Sequence, residues 1–119
     1  MPKKEDHLNC AEHNNSFWTS IELDSSHFID WAITGMFYET VHWVEAFLAP
    51  KGYHSGKHAE RAKNMRFFKI DLKQIQNDYD KLKQDSETAR YDCYKHTANE
   101  ARQLIPLVDN IKNHISQLL

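Results

Sequence analysis

The sequence predicts an all-α protein: an antiparallel up-down bundle of four long helices plus one short helix, forming a single domain over residues 1–119. Three observations predict it. Apolar residues recur at steps of three and four along nearly the whole chain. No stretch alternates apolar and polar residues as a half-buried strand would. Glycine and proline number only three each in 119 residues, which favours long regular elements over a loop-rich fold. Hydrophobic residues make up 40%, enough for one ordinary core.

The first helix is expected from Asp6 to about Leu23, with Leu8, Ala11, Trp18 and Ile21 at helical spacing. Asp24-Ser25-Ser26 breaks it and offers caps for the next helix. His27 to Ala49 is the most apolar stretch. Ile33, Phe37, Val41, Val44 and Leu48 line one side of it, and Trp31, Tyr38, His42 and Glu45 another. A helix apolar on most sides belongs at the centre. Pro50 to Gly56 is a loop, and a short basic helix starts near Lys57. Met65, Phe68, Leu72, Ile75, Tyr79 and Leu82 then form an a/d-like seam. Asp85-Ser86 reads as a stop and a new N-cap. The last helix sets Ala98, Ala101, Leu104, Val108, Ile111, Ile115 and Leu118 on one face, with a kink expected at Pro106.

The net charge of −2 does not announce a nucleic-acid binder. Its distribution is uneven. Residues 1–56 hold three Lys against eight Asp/Glu, whereas residues 57–119 hold twelve Lys/Arg against nine. Most of the excess lies in Lys57, Arg61, Lys63, Arg66 and Lys69, opposed only by Glu60. Such a patch can attract phosphates, or simply be a solvated helix face. No stretch approaches the roughly 20 apolar residues of a membrane span. The start has no signal-peptide core, so no membrane association and a cytoplasmic location are expected. Cys10 and Cys93 are expected as free thiols.

The chemistry-bearing candidates begin with Arg90 and His96, separated by five residues. Arginine grips a phosphate bidentately and histidine moves protons near neutral pH. On one ideal helix the two would sit roughly 120° apart. Two routes would then bring them together: Arg90 reaching round from an N-terminal end capped by Ser86, or a two-fold axis joining two chains. The plain alternative is surface pairing, Arg90 with Glu87 or another neighbour and His96 with Asp92 or Glu100, worth roughly 0–1 kcal/mol. His42, between Tyr38 and Glu45, is expected in a hydrogen-bonded network on the buried helix. His58 and Arg61, beside Lys57, suit a phosphate at a helix N-terminus. Tyr91 and Tyr94 suit base stacking. His54 and His58 lack a third ligand, so neither a metal nor another cofactor is expected.

Four segments together carry a family resemblance. They are Asp30 to Ala46; His58-Ala59-Glu60-Arg61; Tyr79-Asp80-Lys81-Leu82; and Ser86-Glu87-Thr88-Ala89-Arg90-Tyr91. In that order and spacing they resemble one branch of the HEPN superfamily, over roughly residues 8–118. The resemblance implies a small all-α domain that forms a homodimer. It also implies a metal-independent endoribonuclease with a toxin or defence role, in which Arg90 and His96 act on RNA at the dimer interface. The commoner motif has a polar residue after the arginine or a tyrosine two beyond the histidine; here Tyr91 and Ala98 stand there. A non-catalytic HEPN module that binds nucleotide or a partner protein is therefore the alternative. A nucleotidyltransferase antitoxin is the partner that a paired-toxin role would imply.

Overall fold

Helix α1, Lys4–Thr19, starts where the Asp6 carboxylate accepts a hydrogen bond from the Lys3 N–H at 2.8 Å. The computed structural model describes residues 1–119 and contains no strand. α1 ends four residues before the expected Leu23. The Thr19 hydroxyl donates to the Asn15 carbonyl, and the Ser20 hydroxyl to that of Phe17. Both hydroxyls compete with the helical ladder at the point where it stops. Ile21 and Leu23 still pack on the core from the turn, so the apolar pattern outlasts the helix.

Helix α2, Ile29–Leu48, is the central element and packs against α1 and both C-terminal long helices. Ile33, Phe37, Val44 and Leu48 are fully enclosed. Gly35 lets α1 approach, since a Cβ there would lie 3.0 Å from both Phe17 Cδ2 and Trp18 Cβ. Trp31 departs from its expected grouping with His42 and Glu45. It sits in the first turn of α2, half exposed. The helix passes into a 3₁₀ turn at Ala49–Lys51 that contains Pro50, and Gly52 closes it at φ 84°.

The seam beginning at Met65 is not one helix. It is divided among α3 (His58–Phe67), the single turn α4 (Lys69–Leu72), a 3₁₀ turn at Lys73–Ile75, and α5 (Gln76–Tyr91). The backbone shifts between segments while Met65, Leu72, Ile75, Tyr79 and Leu82 all stay buried. Truncating a core leucine such as Leu82 to Ala costs about 2–5 kcal/mol.

The expected stop at Asp85-Ser86 does not occur. Ser86 is buried in the middle of α5, and its hydroxyl returns to the Lys83 carbonyl at 2.9 Å. α5 ends instead at Tyr91, followed by Cys93 in the left-handed region at φ 55°. The N–H groups of Asp92 and Tyr94 both donate to the Thr88 carbonyl there. Helix α6, Ala98–Leu118, begins at a capping box. Glu100 N–H donates to Thr97 Oγ1 at 3.1 Å, and Thr97 N–H donates to Glu100 Oε1 at 2.9 Å. α6 continues through Pro106 and buries Ala101, Leu104, Val108, Ile111 and Ile115, the face the sequence predicts. No helix is long and apolar enough to cross a membrane.

Candidate functional site

Polar side chains gather in two places. The first lies inside the bundle between α1, α2 and α3. Glu39 is 1% exposed, and three N–H groups meet its carboxylate. Trp18 Nε1 and Asn15 Nδ2 reach one oxygen at 2.7 and 3.0 Å, and Trp43 Nε1 reaches the other at 3.0 Å. One α2 turn and a half further, Glu45 accepts from Arg61 Nε at 2.8 Å and from the Ser55 N–H at 3.4 Å. Arg61 Nη1 also lies 3.0 Å from His58 Nδ1, and Asn64 donates to the Ser55 hydroxyl at 2.9 Å.

His42 bonds to neither Tyr38 nor Glu45. Its Nδ1 lies 3.1 Å from Nδ1 of His7, a residue of α1. One ring must donate and the other accept, so the pair requires at least one neutral imidazole. Burial lowers the pKa of His7 below the ordinary histidine value, more strongly than Glu45 and Asp6 raise it. Burial also lowers that of His42, with His7 the next cause. His58 is lowered too, first by burial and then by the Arg61 charge. The Tyr79 hydroxyl is raised by burial.

This arrangement corrects the expected phosphate site at the start of α3. Arg61 is buried and committed to Glu45, so it does not face an incoming anion. Glu60 already receives the Gly56 N–H at 3.2 Å beside that helix end. Lys57 and His58 remain at the surface.

The second place is a cleft of about 510 Å³ where the end of α5 and the 92–96 turn meet the start of α2. Arg90 and His96 both line it, although they do not share a helix. Arg90 sits in the last turn of α5, and His96 immediately precedes the α6 cap. The reversal at Cys93, rather than a helical repeat, brings them to one wall. The helical-wheel reason for joining them across a two-fold axis therefore falls away.

None of the surface pairings open to these two side chains forms. Glu87 pairs with Lys83 at 3.4 Å, and Glu100 receives Thr97 N–H and the Tyr94 hydroxyl. Those contacts lower the Glu100 pKa, the Thr97 backbone bond first, and the bond to Glu100 raises that of Tyr94. Arg90 Nε and Nη1 and His96 Nδ1 are buried and without hydrogen-bond partners. The Arg90 guanidinium lies 5.4 Å from the Tyr38 ring centre and 5.1 Å from that of Tyr91. The Tyr94 ring meets His96 edge-on at 4.6 Å.

Tyr38 thus belongs beside Arg90, whereas His42 and Glu45 belong to the interior network. Tyr91 is 72% exposed at the end of α5. Ser26, His27 and Asp30 complete the facing wall. No pattern in the sequence singles out His27 or Asp30, because only the fold brings the α1–α2 turn to α5, and neither His7 nor Glu39 is among the candidate residues above. Glu39 carries a visible signal, an acid on the most apolar helix with Trp43 four residues on. No group of three His, Cys, Asp or Glu side chains converges as a ligand set. The chain matches no family model, and no curated protein or solved structure matches it significantly.

Proposed function

We propose that the Arg90–His96 cleft binds an RNA phosphate and cleaves the chain beside it without a metal, in an HEPN-like up-down bundle. One observation carries the reading: three buried polar atoms on two residues of one cleft have no protein partner. Leaving such atoms unpaired costs about 1–3 kcal/mol each, a cost offset only when the two side chains turn toward a ligand in the cleft. Arg90, held over two tyrosine rings, presents a planar donor set suited to phosphate oxygens and to the charge that grows on them in the transition state. His96 supplies proton transfer. Tyr91, exposed beside Arg90, offers a ring for base stacking.

The test is single-turnover cleavage of a mixed-sequence RNA in EDTA. Wild type is expected to leave a 2′,3′-cyclic phosphate or its hydrolysis product. His96→Ala is expected to lose about 10²–10⁴-fold, and Arg90→Lys to fail because a point charge does not reproduce the fork. Equal rates for wild type and His96→Ala would sink the reading.

The second reading is a module that binds a nucleotide in the same cleft without cleaving it. Tyr91 favours it, a ring standing directly after the arginine and open to solvent. Saturable binding of a nucleoside 3′-monophosphate, lost in Arg90→Ala and unaccompanied by cleavage, would select it. A homodimer and a nucleotidyltransferase partner belong to the same family reading. Cys93 is exposed in the single chain, so a dimer formed over the cleft face would slow thiol modification as concentration rises.

A further inference from the structure

We propose that His27 is a second proton-transferring residue of the Arg90–His96 cleft, acting on the side of the phosphate opposite His96; this rests on the RNA-cleavage reading above. In such a cleavage the attacking 2′-oxygen and the leaving 5′-oxygen lie roughly in line through phosphorus. One proton must leave the first and one must reach the second. A single imidazole on one wall does not face both oxygens at once, so a metal-free site gains from a second group across the phosphate.

The cleft contains such a group. His27 lines it from the α1–α2 turn, whereas Arg90 and His96 come from the end of α5 and the turn after it. Two surface contacts hold the turn that carries His27. The Ser26 hydroxyl accepts the Phe28 N–H at 2.9 Å, and Asp24 pairs with Arg102 of α6. The cleft volume of about 510 Å³ lies within the range of small-ligand sites.

Burial separates the roles: His96 is 8% exposed, while His27 is exposed to solvent. His96 takes the proton of the 2′-hydroxyl as the 2′-oxygen–phosphorus bond forms. His27 gives a proton to the 5′-oxygen as the phosphorus–5′-oxygen bond breaks, and the departing strand leaves through the open side. Arg90 holds the non-bridging oxygens. The products are a 2′,3′-cyclic phosphate and a 5′-hydroxyl, and exchange with water restores both rings. The other titratable groups on the cleft wall are Asp30, Cys93, Tyr94 and Lys95.

The experiment compares wild type, His27→Ala, His27→Gln and His96→Ala on two RNAs, measured at single turnover from pH 5 to 9. One RNA has an ordinary 5′-oxygen at the cleaved linkage; the other has a bridging 5′-sulfur, which departs without protonation. Both His27 variants are expected to lose about 10²–10⁴-fold on the oxygen substrate, to lose the alkaline fall of the rate profile, and to return close to the wild-type rate on the sulfur substrate. His96→Ala is expected to stay slow on both. Wild-type rates in the His27 variants, or equal losses on both substrates, overturn the proposal while a slow His96→Ala leaves the cleavage reading standing. A wild type that cleaves neither substrate overturns both.

Discussion

The interior network and the cleft each hold an arginine and histidines and differ in how completely those residues are paired. Glu39 receives three N–H groups, and Arg61 faces Glu45 and His58. Arg90 and His96 hold buried nitrogens with no partner at all. A buried polar group that is fully paired fixes the packing of the helices around it. An unpaired one is a cost the fold retains. A charged residue in the sequence is silent on which of these it will become, and the hydrogen-bond inventory decides it.

Arginine removal separates the two regions most sharply. Arg61→Ala leaves the Glu45 carboxylate buried without its counter-ion and is expected to cost about 3–5 kcal/mol. Arg90→Ala removes buried donors that have no partner, so it is expected to leave stability unchanged or raise it by up to about 3 kcal/mol, while removing phosphate binding. Urea unfolding of both variants checks this. Similar losses would break the comparison, because Arg90 would then be as structural as Arg61.

A smaller effect is expected from pH. His7 and His42 have folded-state pKa values below the ordinary 6.5, chiefly through burial. The fold therefore prefers their neutral forms. Their contribution is fully present above the unfolded value and is lost as pH falls below about 6.5 and through the folded values. Protonating the accepting ring also turns both facing nitrogens into donors. Thermal unfolding should show stability declining on acidification through this window. His7→Gln, which carries no titrating ring, should flatten part of the slope; an unchanged slope would remove the pair from the account.

The fold was legible wherever burial follows local periodicity. The apolar stretch predicts a central helix over 27–49, and the helix spans Ile29–Leu48; the buried face of α6 is the one its periodicity predicts. The α5–α6 joint lies later than Asp85-Ser86 suggests: those residues can form a cap, yet Ser86 is small enough to be buried within a helix. Thr97-Ala98-Asn99-Glu100 carries the fuller signal, a hydroxyl followed three residues later by a carboxylate. Arg90 and His96 stood out in the sequence. Their approach through the Cys93 reversal, and the facing wall from the α1–α2 turn, depend on long-range packing that spacing does not encode.

The most local stability loss concerns the residue that holds this joint. Thr97 caps α6 through reciprocal bonds with Glu100, and Glu100 also receives the Tyr94 hydroxyl. Thr97→Ala should cost about 1 kcal/mol, the usual value of a lost N-cap, and Thr97→Ser should cost less because the hydroxyl remains. The same cap anchors the backbone directly after His96, so binding or cleavage in the cleft should fall more than global stability does. Amide exchange should locate the loosening at residues 92–100, with the interior around Glu39 and Glu45 unchanged. Loosening that extended equally into α2 would mean that the cleft and the interior network unfold as one unit, and the contrast between them would reduce to hydrogen-bond count alone.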